Sequence, residues 1–530
     1  MSTHSVLITD SLAPQGLSAF ERFPDLQVDY RPGLRPDEIV HAIGAYEALV
    51  VRSGTKVTAA VIEAGSKLKV VGRAGIGVDN IDVEAATKRG IVVMNTPGGN
   101  NVTTAEHTIT LLLALARNIP QAVGSLRGGK WERQNFTGVE VFNKTLGIVG
   151  IGNIGSIVAE RAQGLKMKVI AYDPYMRPEV VARLGIEVVP FEDLCTRADF
   201  VSVHVPLTPE TRGMIGAVEL AKMKKGVRVL NCARGGIVDE RALADAVRSG
   251  HVAGAAVDVF EQEPPPRDHP LLALDSVIAT PHLGASTDEA QINVAVAIAE
   301  QVADFLRSGE IRDAVNFPSM SAERVTLLRP FLTLGEKMGA LVSQMLPDAP
   351  IAVEIEGSGE IKEVDMKPIG AAVLKGLLTP IMESVVNFVN APVIARERGI
   401  RVVESHSSVP SDFLNSVTVR ANRSDGSTTT VAGAVFGKNV LRIVRINKFY
   451  MEAVPSGHIL MLNNRDVPGV VGAVGTLLGQ HGINIAGIEL GRDESGMAIS
   501  FFHVDEPVPS GVLSELRKLP AITSAHLVRL

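Results

Sequence analysis

"TLGIVGIGNIGSIVAERAQGLKMKVIAYDP", residues 145–174, decides how the chain is read. An apolar run leads into Gly150, Gly152 and Gly155, a helical stretch follows, and a second apolar run ends at Asp173. A lone G-x-G-x-x-G says little, but strand, glycines, helix and acidic residue stand here in the order of a dinucleotide-binding βαβ unit. Gly150 permits the tight turn, Gly152 lets a pyrophosphate approach the backbone, and Gly155 lets the helix pack on the sheet. The helix start, with Asn153 and Ile154, offers amide donors and its positive dipole end to phosphate. Asp173 follows Gly155 by eighteen positions. A carboxylate there accepts hydrogen bonds from both ribose hydroxyls and repels a 2′-phosphate, which favours NAD, while Arg177 four residues on keeps NADP open.

Outward from this unit the alternation continues. The runs "LGIVGIG", "KVIAYDP", "FVSVHVP", "GVRVLNCA", "GAAVDVF" and "SVIATPH" give six strands between residues 101 and 287, a number that suits a doubly wound sheet. Residues 1–100 carry a second parallel α/β pattern in "SVLITD", "LQVDYR", "YEALVVRS", "LKVVGRAG" and "GIVVMNTP". Helical spacing over 288–307 predicts a long helix, and the polar segment "SGEIRDAVNFPSMSAER" sets a boundary near 318. Residues 319–455 mix a helical stretch, "VVNFVNAPVIARERG", with strands "NSVTVRANR", "TTVAGAVF" and "VLRIVRINKF", and show no catalytic cluster. After a Pro/Gly hinge in "EAVPSGHI", residues 456–530 read as strand, helix, strand, strand, helix, strand.

A length of 530 residues implies several domains. With 52 basic against 58 acidic residues, a net charge of −6 and no long basic run, nucleic acid is not an expected partner. The start, "MSTHSVLITD", reads as a first strand and not a leader, and "TITLLLALA" (108–116) is too short to span a bilayer and reads as a buried helix. Two cysteines, Cys195 and Cys232, argue for a reducing compartment and a cytoplasmic, membrane-free protein. No cluster has metal-ligand spacing, so no metal is expected.

Three polar residues end later strands: Arg234 in "NCARGGIVDE", Glu263 in "DVFEQEPP" and His282 in "TPHLGAS". Ligands of an open α/β sheet gather outside the carboxyl ends of its strands, so the three are placed to converge. Singly each has an ordinary explanation: a surface histidine, a solvated glutamate, an arginine capping its neighbour. Together they fit oxidation of a 2-hydroxy acid. His282 would take the hydroxyl proton, Glu263 would hold the ring and stabilise the imidazolium, and Arg234 would bind the carboxylate.

"NCARGGIVDE" and "TPHLGAST" resemble the D-isomer-specific 2-hydroxyacid dehydrogenases over about residues 5–317. The resemblance implies a Rossmann cofactor domain (101–287) inserted in a flavodoxin-like substrate domain (1–100 and 288–318), with the active site in the cleft. It places Asp258 near the nicotinamide amide, and Ile76, Val205, Cys232, Gly284 and Ala285 along the cofactor pocket. Cys232 there is either inert or sensitive to oxidants. It further implies that "VVRSGT", "GRAGIGVDN" and "NNVTTAEHT" hold the acid through Ser53, Gly75, Ile76 and Asn101. Arg52, Arg73 and Arg133 are then candidates for a substrate phosphate, or else solvent-facing arginines.

"NNRDVPGVVGAVGTLLGQHGINIAGIEL" resembles an ACT domain, an amino-acid-binding module that works in paired copies, and "NAPVIARERGI" resembles the intervening domain of long-form D-3-phosphoglycerate dehydrogenases. These resemblances imply an α+β intervening domain (319–455) and a ferredoxin-like ACT domain (456–530). Asp466 and Asn484, with neighbouring Asn464, match effector positions of serine-binding members. Implied are D-3-phosphoglycerate as substrate, NAD as cofactor, L-serine as a feedback effector, and a homodimer or homotetramer. Lys438, Arg442, Arg445 and Lys448 form either an anion site or a solvated strand face. Two other functions stay open: a dehydrogenase for an unphosphorylated D-2-hydroxy acid, and an NADH-sensing protein like the corepressors that keep the Arg/Glu/His set.

Overall fold

Five runs of β-branched and aliphatic residues build the first sheet: β1 (His4–Ile8), β2 (Leu26–Tyr30), β3 (Ala48–Val51), β4 (Val70–Arg73) and β5 (Val92–Met94). All pair in parallel in the order β2-β1-β3-β4-β5. That order is the flavodoxin-like one; β3, β4 and β5 are near-continuous apolar runs, largely buried, while the edge strand β2, LQVDY, stays partly exposed. The computed structural model describes residues 3–176, 184–318, 322–359, 361, 365–382, 385–407, 413, 415–437 and 439–530. Two compact units divide it: Met1–Ser11, Ala19–Asn95 and Ile298–Leu530 form one, and Leu12–Ser18 with Thr96–Ala297 form the other.

The second unit holds β6 (Thr145–Val149), β7 (Lys168–Tyr172), β8 (Glu187–Val188), β9 (Phe200–Val203), β10 (Val227–Asn231), β11 (Val252–Val257) and β12 (Val277–Ala279). They pair in parallel in the order β12-β11-β10-β9-β6-β7-β8, a Rossmann sheet whose strand order reverses between β6 and β9. Seven strands stand where six were expected; the addition, β8, is a two-residue edge too short to show periodicity. The apolar stretch around 108–116 lies in a helix, Asn101–Ala116, whose Leu111, Leu112 and Leu115 are buried against the sheet. Leu112 is fully buried, so Leu112→Ala costs about 3 kcal/mol.

The rest of the first unit carries two further sheets. β13 (Ala352–Gly359), β14 (Arg401–His406), β15 (Asn415–Asn422), β16 (Thr428–Phe436), β17 (Val440–Ile446) and β18 (Phe449–Ala453) pair in the order β14-β13-β15-β16-β17-β18. The run "VLRIVRINKF" is therefore two strands, bent at Asn447, which takes a positive φ of 51°. The helix expected over 385–399 spans only Ala391–Glu397, because Pro392 disfavours helical backbone before it and Asn387 and Asn390 instead build a hydrogen-bonded turn. β19 (His458–Arg465), β20 (Ile485–Arg492), β21 (Met497–Val504) and β22 (Ile522–Arg529) pair antiparallel as β20-β21-β19-β22, the ferredoxin-like order, with helices Val470–Gln480 and Ser510–Leu516 over one face.

The last sheet is fastened to its neighbour at several points. Lys448 pairs with Asp493 and donates to Ser495 Oγ at 3.2 Å. Gln344 both donates to the Arg529 carbonyl and accepts from its amide, each at 3.0 Å. Among the described residues no single helix is long and apolar enough to cross a membrane.

Candidate active site

The glycine loop after β6 is shaped as its spacing predicts. Gly150 holds φ +92°, and a Cβ there would sit 2.7 Å from the His204 carbonyl oxygen. A side chain at Gly155 would collide with the Gly150 carbonyl, whereas nothing lies within 4 Å of one at Gly152. The space in front of the helix Asn153–Gly164 is thus open where a pyrophosphate needs it. Asp173 is fixed beside this loop: Oδ2 accepts from the Ile151 amide at 3.0 Å and Oδ1 from the Tyr175 amide at 2.9 Å. These residues fit NAD. Arg177 lies outside the described residues.

Arg234, Asp258 and His282 follow β10, β11 and β12, which are neighbours in the sheet, so all three stand at its carboxyl edge. Asn231, buried at the end of β10, accepts from the Ala233 amide at 3.1 Å and donates to the Arg234 carbonyl at 2.9 Å. A side chain at Gly235 would collide with the backbone of Phe260, so the Arg234 loop lies directly against the segment that carries Glu263. Glu263 Oε1 accepts from the Phe260 amide at 3.0 Å, and Oε2 meets His282 Nδ1 at 2.8 Å. An ionised carboxylate only accepts, so Nδ1 carries the proton and Nε2 presents its lone pair. Burial pushes the Glu263 carboxyl up, but the bonds from His282 and the Phe260 amide outweigh it and hold it below the ordinary glutamate range. The imidazole is open to an incoming molecule, with 47 % of the His282 side chain exposed.

Asp258 is fully buried. Oδ1 accepts from Thr280 Oγ1 at 2.6 Å and the Leu283 amide at 2.7 Å, and Oδ2 from the Gly284 amide at 2.8 Å. Burial raises its carboxyl, yet His107, Thr280 and Leu283 together hold it below the usual value. Cys232 is buried and its thiol is pushed by burial up to about 12, which makes it an inert side chain in this setting. Val205 is half-buried next to Gly150, and Ala285 is held by Gln291, which donates to its carbonyl at 2.9 Å. Asn101 opens its helix with a buried Oδ1, and Arg133 is exposed in a short turn, Arg133–Phe136.

In the other unit, Arg52 and Ser53 follow β3, while Arg73, Gly75 and Ile76 end or follow the adjacent β4. Two residues absent from the expectations hold these loops. Asp10, at the end of β1, accepts from the Arg52 amide at 2.6 Å and the Thr55 amide at 3.0 Å. Asn80 donates to the Arg52 carbonyl at 2.6 Å and accepts from Arg73 Nε at 3.3 Å. Gly75 has φ +149°, and a side chain there would collide with the Arg73 guanidinium. Ile76 is tied through its carbonyl to Asn95.

Of the effector candidates, Asn464 is buried and already bonded, accepting from Ser500 Oγ and donating to the Arg465 carbonyl, both at 2.8 Å. Asp466 accepts from Arg492 Nε at 2.6 Å, and the exposed Asn484 donates to Asp505 at 2.7 Å. Lys448 is engaged with Asp493, Arg442 donates to its neighbouring Leu441 carbonyl, and the Nε of Arg445 is buried; Lys438 lies outside the described residues.

Residues 109–284 match the NAD-binding domain of the D-isomer specific 2-hydroxyacid dehydrogenases, 327–447 the D-3-phosphoglycerate dehydrogenase intervening domain, and 458–521 the ACT domain. The chain is 44% identical over 528 residues to a D-3-phosphoglycerate dehydrogenase of Archaeoglobus fulgidus, covering 99% of this chain and 100% of that one. It is 42% identical over 530 residues to the one from Bacillus subtilis, covering 99% of each. Among solved structures, a Thermus thermophilus protein superposes with a TM-score of 0.55 at 35% identity, and the D-lactate dehydrogenase of Aquifex aeolicus, complexed with NAD and lactic acid, with 0.53 at 28%. Each covers 59% of this chain and essentially all of its own.

Proposed function

This chain belongs to the D-3-phosphoglycerate dehydrogenase family, and from that premise we propose how its residues carry the NAD-dependent oxidation of D-3-phosphoglycerate to 3-phosphohydroxypyruvate, the first step toward L-serine. The observation that carries the assignment is the Glu263–His282 pair, which leaves one imidazole nitrogen as a base on the exposed side of the sheet edge. His282 Nε2 takes the C2 hydroxyl proton, and Glu263, held ionised, stabilises the imidazolium that results. Bound NAD supplies the acceptor for the hydride that leaves C2. Arg234 holds the C1 carboxylate and polarises the C2 oxygen, the orientation that Asn231 and Gly235 impose on its loop.

Gly150, Gly152, Asn153, Ile154 and Gly155 cradle the pyrophosphate, Asp173 takes the ribose hydroxyls, and Ile76, Val205, Cys232, Asp258, Gly284 and Ala285 complete the cofactor pocket. The amides of Ser53, Gly75 and Ile76, with Asn101, hold the acid. Arg52, Arg73 and Arg133 take the phosphate. Residues 1–100 with 288–318 act as the substrate domain, 101–287 as the cofactor domain, 319–455 as the intervening domain and 456–530 as the regulatory domain. L-Serine is the effector, bound at Asp466 and Asn484 between paired copies. A homodimer or homotetramer is supported by Ile119, Val123, Leu126, Trp131 and Phe142, apolar residues exposed in one stretch of the second unit. The cytoplasm, where free thiols such as Cys195 and Cys232 stay reduced, is its compartment.

NADH formation with D-3-phosphoglycerate against D-glycerate, with and without L-serine, tests this reading. Strong preference for the phosphorylated acid, suppressed by serine, is expected. Equal use of both acids would overturn the phosphate assignment, and an enzyme indifferent to serine would overturn the effector.

A further inference from the structure

One face of the helix Asn101–Ala116 is polar and reads the strand ends of the Rossmann sheet. Thr104, His107 and Thr108 share that face at helical spacing. Thr104 Oγ1 donates to the Gly284 carbonyl at 2.9 Å. His107 Nε2 lies 3.2 Å from Asp258 Oδ1 and 3.4 Å from Thr280 Oγ1. Thr108, fully buried, stands beside the Cys232 thiol and donates to the Thr104 carbonyl at 2.9 Å.

Asp258 gathers what this face touches. Its backbone carbonyl accepts from the His282 amide at 2.9 Å, and its two carboxylate oxygens accept from the amides of Leu283 and Gly284. Three consecutive amides of the loop that carries His282 thus close on one residue. His282 itself sits at φ +55°, a conformation that a non-glycine side chain keeps only when its surroundings impose it.

We propose that His107 is a positioning residue: as a donor to Asp258 it keeps that buried carboxylate ionised and oriented, and through it holds residues 282–284 so that His282 stays beside Glu263. The inference rests on the reading of His282 as the catalytic base. Its chemistry is direct. A fully buried carboxylate loses its water and tends toward the neutral form unless donors surround it. Were Asp258 protonated, one of its oxygens would become a donor facing the amides it now anchors. Burial pushes the Asp258 carboxyl up, and His107 is foremost among the groups that bring it back down. The other titratable groups facing it do not help: the Cys232 thiol stays neutral, and Glu263, itself paired with His282, opposes the negative charge.

The test is the pH dependence of kcat at saturating substrate for NADH-driven reduction of 3-phosphohydroxypyruvate, the direction in which protonated His282 is the active form; kcat is read because ionisation of the free substrate's phosphate, at about pH 6, would enter kcat/KM. Removing a donor raises the pH at which Asp258 protonates, so His107→Leu should move the acid limb up by at least about one pH unit, a further tenfold loss on the limb beyond any change in plateau. His107→Gln, which keeps an N–H donor, should return the limb toward its original position. If the leucine variant does not fold, Thr280→Val, which removes the neighbouring donor to the same oxygen, must shift the limb in the same direction. A limb that stays in place in His107→Leu, or in Thr280→Val should that be the one that folds, overturns the inference. His282→Ala run alongside separates the two readings: if it keeps parental activity the base assignment fails, and if it is inactive while the limb never moves, only the role of His107 fails.

Discussion

The strand ends of the Rossmann sheet and those of the last sheet both carry polar residues, and the two sets are held in opposite ways. Around Asp258, Glu263 and His282 the partners are backbone amides and side chains that lock one geometry: Phe260 and His282 on Glu263, Thr280, Leu283 and Gly284 on Asp258. In the last sheet Asp466 is paired with Arg492 and Asn484 with Asp505, surface partners that the proposed amino-acid effector would have to displace. A catalytic site is built to be ready before its substrate arrives. A sensor is built so that its ligand changes who is paired with whom, since a ligand that changes nothing can shift no equilibrium.

The largest effect is expected of His282→Ala, for which kcat/KM should fall about 10³-fold while NADH still quenches protein fluorescence on binding. Glu263→Gln should cost about 10²-fold in kcat, since the amide leaves the ring in place without stabilising its charge. On the sensor side, Asp466→Ala should weaken serine binding about tenfold by calorimetry, the loss of one charged hydrogen bond. Binding unaltered by that change would remove Asp466 from the effector site.

Smaller effects sharpen the contrast. His204, bonded to Ser202 beside the glycine loop, is pushed by burial to about 4. The unfolded chain binds a proton there more readily than the folded one between about pH 6.5 and pH 4, so stability falls as pH falls through that window. His204→Gln should remove about 3 kcal/mol of that pH dependence in denaturant titrations of the second unit. Lys448→Met should lower the thermal transition of the C-terminal half slightly and leave the transition of the cofactor domain where it is. Equal shifts in both would mean that the Lys448–Asp493 pair is not local.

How much of this was legible follows the same division. Gly150, Gly155, Asp173, Glu263 and His282 could be read because each role demands one residue type at one offset from a strand. Asp10, Asn80, His107 and Thr280 were not, since their partners lie far away in sequence: 45 positions between Asp10 and Thr55, 173 between His107 and Thr280. Their only signal was place, a polar residue just past a strand or facing inward on an apolar helix. Strands β8 and β14 escaped for a different reason, β8 by its brevity and β14 because nearly every residue on it is exposed, which erases alternation.

The fastening of the last sheet to the third has a practical meaning for anyone cutting and pasting this protein. Gly491 admits no side chain because the Tyr450 carbonyl and Phe449 Cβ would stand 2.9 and 3.0 Å from it, and the arrangement is repeated at Lys448–Asp493 and Gln344–Arg529. The Pro/Gly run at 455–457 looks like the natural place for scissors, yet a graft that starts there leaves half of each joint behind. Beginning before β17 carries the Gly491 and Lys448–Asp493 joints along with the β17–β18 hairpin, and leaves only the Gln344 contact, made from the helix Ala322–Met345, to be replaced.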